Sequence, residues 1–293
     1  MELIDGKRIA EEIKKKIAAK VAAIIDADGE SPHLAAVLVG DDPASQTYIA
    51  SKERACKAVG FTSSVYRYGD DITEKHLLEV VDFLNNDPDI NGFIVQLPLP
   101  GHIDSNKILQ RIRPEKDVDG FHPVNVGRLA LGLPSYLPAT PAGIMLLLEH
   151  YGIETEGKHC VVLGRSNIVG TPMSLLMSRK ANPGNSTVTL CHSKTKDLPA
   201  ITRQADILIA AIGQPEFVKA DMVKTGAVVI DVGIHRIEDD SEKGYHITGD
   251  VDFEQVAPKC NFITPVPGGV GPMTIVSLLL NTFKAYNSEI YGK

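Results

Sequence analysis

The sequence contains few cysteines, and their spacing excludes two kinds of site. Its 293 residues include four, Cys56, Cys160, Cys191 and Cys260, which form no C-x-x-C pair and mostly lie within apolar runs. Cysteines in this arrangement are typical of reduced, buried side chains in the cytosol. We therefore predict no zinc or other metal site, no disulfide framework, and a cytoplasmic location.

Excess positive charge and long apolar runs are also absent. The formal net charge is −7, which argues against nucleic acid as a partner, because neutralising phosphates requires a basic surface. No apolar run approaches the roughly 18 residues of a membrane span. The amino terminus lacks the apolar core of a signal peptide, and its early acids Asp5, Glu11 and Glu12 do not suit a transit peptide. We expect neither nucleic acid nor a membrane as a partner.

Strands and helices alternate from residue 34 onward. The run LAAVLVG (34–40) predicts a strand, and SQTYIASKERACKAVG (45–60) predicts a helix that ends at Gly60. The segments SSVYRY, TEKHLLEVVDFLNN and NGFIVQLPLP continue as strand, helix and strand. This alternation indicates a parallel sheet, because each helix returns the chain to the start of the next strand.

A second series follows residues 113–141, which are rich in proline and glycine, and the helix AGIMLLLEHYG. Its predicted strands are HCVVLG, STVTLCH, DILIAAIG and AVVIDVG. The chain is also about twice the length of a typical domain. We therefore predict two α/β domains around a cleft, the second of Rossmann type with a parallel sheet. Residues 1–140, completed by the C-terminal helix 273–293, form the first domain, and residues 141–272 form the second.

The segment CVVLGRSNIVGTP (160–172) has the order strand, glycine turn, helix that dinucleotide-binding folds use. The middle glycine of G-x-G-x-x-G is missing, so a structural turn at Gly164 and Gly170 is the alternative. The next strand ends in CHSKT, where an NAD-binding fold usually has an acid. Arg165 and Ser193 supply donors there instead, which suits a ribose phosphate. We therefore predict NADP rather than NAD.

Tyr48 and Lys52 are four residues apart, so they lie on one face of the predicted helix. An ordinary surface helix is one explanation. The catalytic Tyr-x-x-x-Lys pair of short-chain dehydrogenases is another, but in that family the pair follows the nucleotide motif, whereas Tyr48 precedes Gly164. A third explanation is that the pair faces a cofactor held by the other domain.

Three further stretches have the composition of a ligand site. GFIVQLPLPGH (92–102) ends an apolar strand with Gln96, PEKDVDGFHP (114–123) contains Asp117 and Asp119, and TPVPGGVGPMT (264–274) is rich in proline and glycine. Ligands of α/β folds bind at the carboxyl ends of parallel strands, and glycine permits close approach to a ligand. A buried glutamine, a plain turn and a simple connector are the respective alternatives.

Taken together, these segments resemble the bifunctional methylenetetrahydrofolate dehydrogenase and methenyltetrahydrofolate cyclohydrolase family. The similarity runs in order from about residue 2 to about residue 285, without a departure at a functional position. Its most specific motifs are KDVDGFHPVNVGRL and TPVPGGVGPMT. The others are TYIASKERA, GFIVQLPLP, PATPAG, VVLGRSNIVGTP, CHSKT, VVIDVGIHR and GDVDF.

The resemblance implies an NADP-dependent oxidation of methylene-tetrahydrofolate to methenyl-tetrahydrofolate, followed by hydrolysis to formyl-tetrahydrofolate. It assigns catalysis to Lys52, with Tyr48 beside the pterin, Gln96 holding the lysine and Asp119 binding the pterin. Water addition needs proton transfers, which a lysine of lowered pKa can provide. Further substrate contacts are implied for Val95, Leu97, Pro267, Gly268, Gly269 and Val270, and cofactor contacts for Gly164, Arg165, Ser166, Ser193 and Ile234.

The resemblance also implies a homodimer. Because the chain ends just after its final helix, we expect no synthetase domain and formyl-tetrahydrofolate as the product. Two other functions stay open: an NADP-responsive binding protein without catalysis, and a two-domain NADP-dependent dehydrogenase of another small substrate, of the shikimate type.

Overall fold

The computed structural model describes residues 1–241 and 244–292. The chain divides into two compact units. The first unit comprises Glu11–Ala139 with Ile275–Lys293, and the second comprises Met1–Ala10 with Thr140–Thr274. The prediction of two α/β domains with a parallel sheet is confirmed. No helix in the described parts of the chain is long and apolar enough to span a bilayer.

The first unit is built on a three-stranded parallel sheet in the order β3, β2, β4. Most or all of each of the following elements lies in this unit: α1 (Gly6–Asp26), β2 (His33–Val39), α2 (Pro43–Val59), β3 (Thr62–Tyr68), α3 (Glu74–Asn86), β4 (Gly92–Val95), α4 (Ser105–Arg111), α5 (Pro123–Ala130) and α10 (Val270–Tyr286).

Both faces of the central strand β2 are covered by helices. Val37 belongs to an apolar core shared with α3 and α4, whereas Leu38 belongs to a core shared with α1, α2 and α10. Alternate side chains of a strand point to opposite faces, so a strand buried on both faces is apolar throughout. The continuous run LAAVLV follows from this position.

The second unit is built on a six-stranded parallel sheet in the order β1, β11, β8, β7, β5, β6. Strands β9 and β10 form a separate antiparallel pair. The elements are β1 (Glu2–Leu3), α6 (Ala139–His150), β5 (His159–Leu163), α7 (Gly170–Ser178), β6 (Thr187–Cys191), α8 (Leu198–Thr202), β7 (Ile207–Ala210), β8 (Val228–Asp231), β9 (His235–Glu238), β10 (Tyr245–Thr248), α9 (Phe253–Val256) and β11 (Phe262–Ile263), with 3-10 turns at Ala220–Met222 and Ala257–Lys259.

The first ten residues lie in the second unit, although the sequence order suggested the first. Strand β1 pairs in parallel with β11, and Ile4 N–H donates to the carbonyl of Ile263 at 2.8 Å. This pairing joins residues more than 250 positions apart, so local periodicity gives no sign of it.

Candidate active site

Helix α2 carries Tyr48 and Lys52, and its beginning and end are fixed by the residues that flank it. Asp42 caps the helix by accepting the Ser45 N–H at 2.7 Å, and Gly60 ends it with a φ of 81°. Residues that begin helices in this way satisfy amide groups that have no partner within the helix. Tyr48 is 42% exposed, whereas Lys52 is half-buried. The two side chains are therefore available to one ligand.

Gln96 lies where β4 ends and contacts the lysine directly. The Lys52 Nζ donates to Gln96 Oε1 at 3.1 Å, and Gln96 Nε2 donates to the carbonyl of Leu97 at 2.7 Å. The second bond fixes the amide so that its oxygen faces Lys52. Of its neighbours, Val95 is buried, Leu97 is half-buried, and the peptide bond from Leu97 to Pro98 is cis.

Asp119 lies in a turn beside the same strand. Phe93 of β4 donates its N–H to the Lys116 carbonyl at 3.0 Å and forms a parallel bridge with Asp117. The segment before Asp119 therefore extends the edge of the sheet. The Asp119 carboxyl group is half-buried and makes no hydrogen bond to another residue in the described parts of the chain.

Lys52 and Asp119 perturb each other electrostatically. Burial lowers the pKa of Lys52, and the negative charge of Asp119 opposes that shift. Burial raises the pKa of Asp119, and the positive charge of Lys52 opposes that shift. Burial also raises the pKa of the Tyr48 phenol. Perturbed groups clustered at the end of a parallel strand are typical of a catalytic site.

Asp117 has a different environment from Asp119. It is 1% exposed and accepts hydrogen bonds from Phe121 N–H at 3.2 Å, His122 N–H at 2.8 Å and Asn125 Nδ2 at 2.9 Å. Burial raises its pKa to about 7. Its lone pairs are used within the turn, so Asp117 shapes the turn while Asp119 remains free for a ligand.

The glycine turn after β5 allows the backbone approach that a dinucleotide site requires. Gly164 has a φ of 123°, and a Cβ there would overlap the carbonyl of Ala211. A Cβ at Gly170 would overlap the carbonyl of Gly164, so helix α7 begins directly against the turn. Strand β5 lies between β6 and β7, where the chain reverses its direction across the sheet. Nucleotides bind doubly wound sheets at this point.

The side chains around that turn fit a phosphorylated ribose. Arg165 and Ser193 are exposed, and Ser166 Oγ accepts the N–H groups of Val169 at 3.2 Å and Gly170 at 3.4 Å. The segment that follows β6, HSKTK, contains no acid that would repel a phosphate. Ile234, 53% exposed, lies between β8 and β9. The donor set is therefore compatible with NADP.

The loop from Pro267 to Gly269 lies in the second unit, and Val270 follows it as the first residue of α10. Lys7 N–H donates to the carbonyl of Gly268 at 2.9 Å, and Gly268 has a φ of 110°. A Cβ at Gly6 would overlap the Gly269 carbonyl. The amino terminus of α1 therefore packs against this loop, and its predicted substrate contacts stay a prediction.

Two buried acids, Asp231 and Asp250, were missed at the sequence level. Asp250 is fully buried and accepts the N–H groups of Ile212, Gly213 and Gln214 at 2.7 to 3.0 Å, together with His235 Nε2 at 2.8 Å.

Asp231 accepts the N–H groups of Gly233, Asp250 and Val251, and burial raises its pKa to about 6. Together the two acids connect the segments that follow β7, β8 and β10. The two acids lie in the motifs VVIDVGIHR and GDVDF, and this was the feature of the sequence that could have identified them.

The described residues contain no group of three or more His, Cys, Asp or Glu side chains arranged to hold a metal ion. The catalytic candidates Tyr48, Lys52, Gln96 and Asp119 all lie in the first unit. The cofactor candidates all lie in the second unit.

Family models match both parts of the chain. Residues 4–119 match the catalytic domain of the tetrahydrofolate dehydrogenase/cyclohydrolase family, and residues 138–290 match the NAD(P)-binding domain of the same family. The chain belongs to this family. The resemblance predicted from the sequence is thereby confirmed, and the chain is a bifunctional dehydrogenase and cyclohydrolase.

Individual relatives agree with this assignment. A bifunctional protein FolD from Bacteroides thetaiotaomicron is 61% identical over 292 residues, which cover 99% of this chain and 100% of the relative. The structure of a FolD methylenetetrahydrofolate dehydrogenase/cyclohydrolase from Campylobacter jejuni has a TM-score of 0.92 at 50% identity and covers 99% of each chain. The Trypanosoma brucei FolD structure, complexed with NADP and an inhibitor, has a TM-score of 0.92 at 38% identity and covers 99% of this chain and 98% of that one.

Proposed function

We propose that Tyr48, Lys52, Gln96 and Asp119 form the site at which the chain performs both reactions of its family. The chain oxidises methylene-tetrahydrofolate to methenyl-tetrahydrofolate with NADP and then hydrolyses the product to formyl-tetrahydrofolate. The observation that carries the site assignment is the bond from Lys52 Nζ to Gln96 Oε1 at 3.1 Å, beside the free carboxylate of Asp119. It supports a proton-carrying group and a substrate anchor at one strand end.

Asp119 anchors the substrate in this proposal. The aminopyrimidinone edge of a pterin presents adjacent N–H donors, which a carboxylate can accept as a bidentate pair. Asp119 suits this role because its oxygens have no hydrogen-bond partner in the described parts of the chain. Tyr48, one helical turn from Lys52, supplies a partly exposed ring beside the pterin.

The oxidation does not require a strong base from the chain. Hydride departs from the methylene carbon with the help of a ring-nitrogen lone pair and leaves a methenyl cation. Bound NADP supplies the hydride acceptor. The chain's own residues hold the substrate in place during this step, which is the contribution that orientation makes to catalysis.

Hydrolysis requires proton transfers, which we assign to Lys52. Water adds to the methenyl carbon and loses a proton, and a ring nitrogen gains a proton as its bond to that carbon breaks. Burial lowers the pKa of Lys52, which makes its amine better able to accept and return these protons. Gln96 holds the amine through its oxygen without adding a charge.

NADP would be bound by the second unit. We assign Gly164 and Ser166 to the turn that meets the pyrophosphate, Arg165 and Ser193 to the ribose phosphate, and Ile234 to a further cofactor contact. Support comes from the glycine turn, the exposed guanidinium and the acid-free segment after β6. On the same basis, the first unit is the folate-binding domain and the second the NADP-binding domain.

The test is a spectrophotometric assay with methylene-tetrahydrofolate and NADP. It follows NADPH formation and, separately, the decay of preformed methenyl-tetrahydrofolate. Wild type should perform both reactions, and Lys52→Met should lose most of the second. Lys57→Met, at an exposed position of the same helix, is the matched control and should retain both. Full hydrolysis by folded Lys52→Met protein would contradict the site assignment.

We further propose that the chain forms a homodimer in the cytoplasm. No described strand pairs with the outer edge of β3, and Phe83 of α3 beside it is 58% exposed. Unpaired edge strands are sites where a second copy can add to a sheet. The four cysteines are buried thiols, as in proteins of a reducing compartment. Light scattering should give about twice the 31.6 kDa of one chain, and a monomer mass would contradict the proposal.

A further inference from the structure

The turn that carries Asp119 is fixed by residues outside its own segment. Val118, which precedes Asp119, is fully buried in the core shared with α1, α2 and α10. Gly120, which follows it, has a φ of 74°, and a Cβ there would lie 2.7 Å from the carbonyl carbon of Leu137. The backbone on both sides of Asp119 is therefore closely packed, while its carboxylate remains free.

One side chain connects this turn to its surroundings by hydrogen bonds. Asn281 of α10 donates its Nδ2 to the Val118 carbonyl at 2.8 Å and to the Leu137 carbonyl at 2.9 Å. Asn281 is 3% exposed, so both bonds are shielded from water. The amide thus uses both of its N–H donors to hold two segments that are about 20 residues apart in sequence.

The opposite side of the turn is held by Asp117, whose carboxylate accepts the N–H groups of Phe121 and His122. Asn281 and Asp117 therefore restrain the backbone on either side of Asp119. If Asn281 lost its donors, two buried carbonyls would lack partners, and the turn could relieve this by moving toward water. Such a movement would displace Asp119 while leaving its chemistry unchanged.

We propose that Asn281 is a positioning residue that sets the location of the Asp119 carboxylate for the substrate. This inference rests on the proposed role of Asp119 in binding the pterin. It assigns Asn281 no contact with substrate or cofactor. A displacement of about 1 Å can cost up to about a hundredfold in catalytic efficiency, so a residue that only positions Asp119 can matter without contacting the substrate.

The principal variant is Asn281→Leu, which keeps the approximate size and removes both donors. We expect the KM for methylene-tetrahydrofolate to rise about tenfold, while kcat and the KM for NADP change less than about threefold. Asn281→Ser keeps one donor and should raise the same KM by a smaller factor. It provides a second test if Asn281→Leu does not fold. A folate KM at the wild-type value in the folded variants would overturn the inference.

Asn85→Leu is the matched control. Asn85 is also buried and also bonds the backbone, through Nδ2 to the Arg111 carbonyl at 2.8 Å and Oδ1 to the Arg113 N–H at 2.8 Å. It should lower the melting temperature as Asn281→Leu does, but leave the folate KM within about twofold. An equal rise in folate KM in both variants would mean that loss of stability is the cause and would overturn the inference.

A double-mutant cycle with Asp119→Asn separates this inference from the proposed function. If Asn281 acts through Asp119, Asn281→Leu should raise the folate KM little further in the Asp119→Asn background. Additive effects would overturn the inference alone. A normal folate KM for Asp119→Asn by itself would instead contradict the proposed role of Asp119.

Discussion

Replacement of Lys52 by methionine tests which of the two reactions depends on the lysine. Methionine has a similar length and cannot carry a proton. The change removes the bond from Nζ to Gln96 Oε1 and the positive charge near Asp119. We expect the cyclohydrolase activity to fall strongly, because hydration of the methenyl cation requires proton transfer, while the dehydrogenase activity remains measurable.

The size of the loss follows from what remains at the site. Burial raises the pKa of the Tyr48 phenol, so Tyr48 keeps its proton at neutral pH and cannot replace the amine as a base. General acid and base assistance is typically worth about a hundred- to ten-thousandfold. This factor corresponds to about 2.7–5.5 kcal/mol in the barrier to hydrolysis. We therefore expect the Lys52→Met cyclohydrolase rate to fall within that range.

The assay measures both reactions at saturating substrate on protein whose folding has been verified. NADPH formation reports the oxidation, and the decay of added methenyl-tetrahydrofolate reports the hydrolysis. Lys57→Met controls for loss of a lysine from α2. The assignment would be refuted if hydrolysis stayed within about threefold of wild type while hydride transfer collapsed. A threefold loss is far smaller than the loss expected when general acid and base assistance is removed.

Three other predictions concern Asp119, Arg165 and Asp250. Asp119→Asn should shift the rise of the cyclohydrolase pH–rate profile to lower pH, because the Asp119 charge holds the pKa of Lys52 up against the effect of burial; a shift to higher pH would contradict this. Arg165→Ala should raise the NADP KM about ten- to a hundredfold and the NAD KM little, and equal losses would contradict the phosphate contact. Asp250→Asn should cost about 3–5 kcal/mol in urea unfolding, because it removes the buried charge and replaces one of the two oxygens, each of which accepts two hydrogen bonds, by an amide NH2 group that cannot accept them. The surface variant Asp239→Asn should leave the midpoint unchanged.

Several features of the site could be predicted because they depend on local geometry. Tyr48 and Lys52 lie on one helical turn because they are four residues apart. Gln96 contacts Lys52 because β2, which precedes α2, and β4 are neighbouring parallel strands, whose carboxyl ends lie at the same edge of the sheet. Helical periodicity fixes the first relation, and the strand end at Gln96 marked it as a candidate, but its contact with Lys52 was implied by the family resemblance.

Other features could not be predicted because they depend on contacts between distant residues. The bond from Asn281 to Val118 spans 163 positions, and the pairing of β1 with β11 joins Glu2 to Phe262. An asparagine within an apolar helix and a two-residue strand have no distinctive local pattern. The role of Asp250 could likewise not be predicted, because the N–H groups that it accepts belong to residues 212–214, which are 36 to 38 positions away in the sequence.

The neutral side chain at position 96 explains how the pKa of Lys52 can stay lowered while the amine is held in place. An amine in a half-buried position needs a hydrogen-bond acceptor, or its N–H groups would lack partners. A glutamate would accept the bond equally well, but its charge would stabilise the ammonium form and raise the pKa of Lys52. Gln96 accepts the bond through Oε1, and its Nε2 is occupied by the Leu97 carbonyl, so the amide presents its oxygen to the lysine. Asp119 is then the acid that opposes the effect of burial on Lys52, and its charge becomes less available when the N–H donors of the pterin edge pair with it. Substrate binding should therefore lower the pKa of Lys52 further, at the stage when hydrolysis needs the neutral amine.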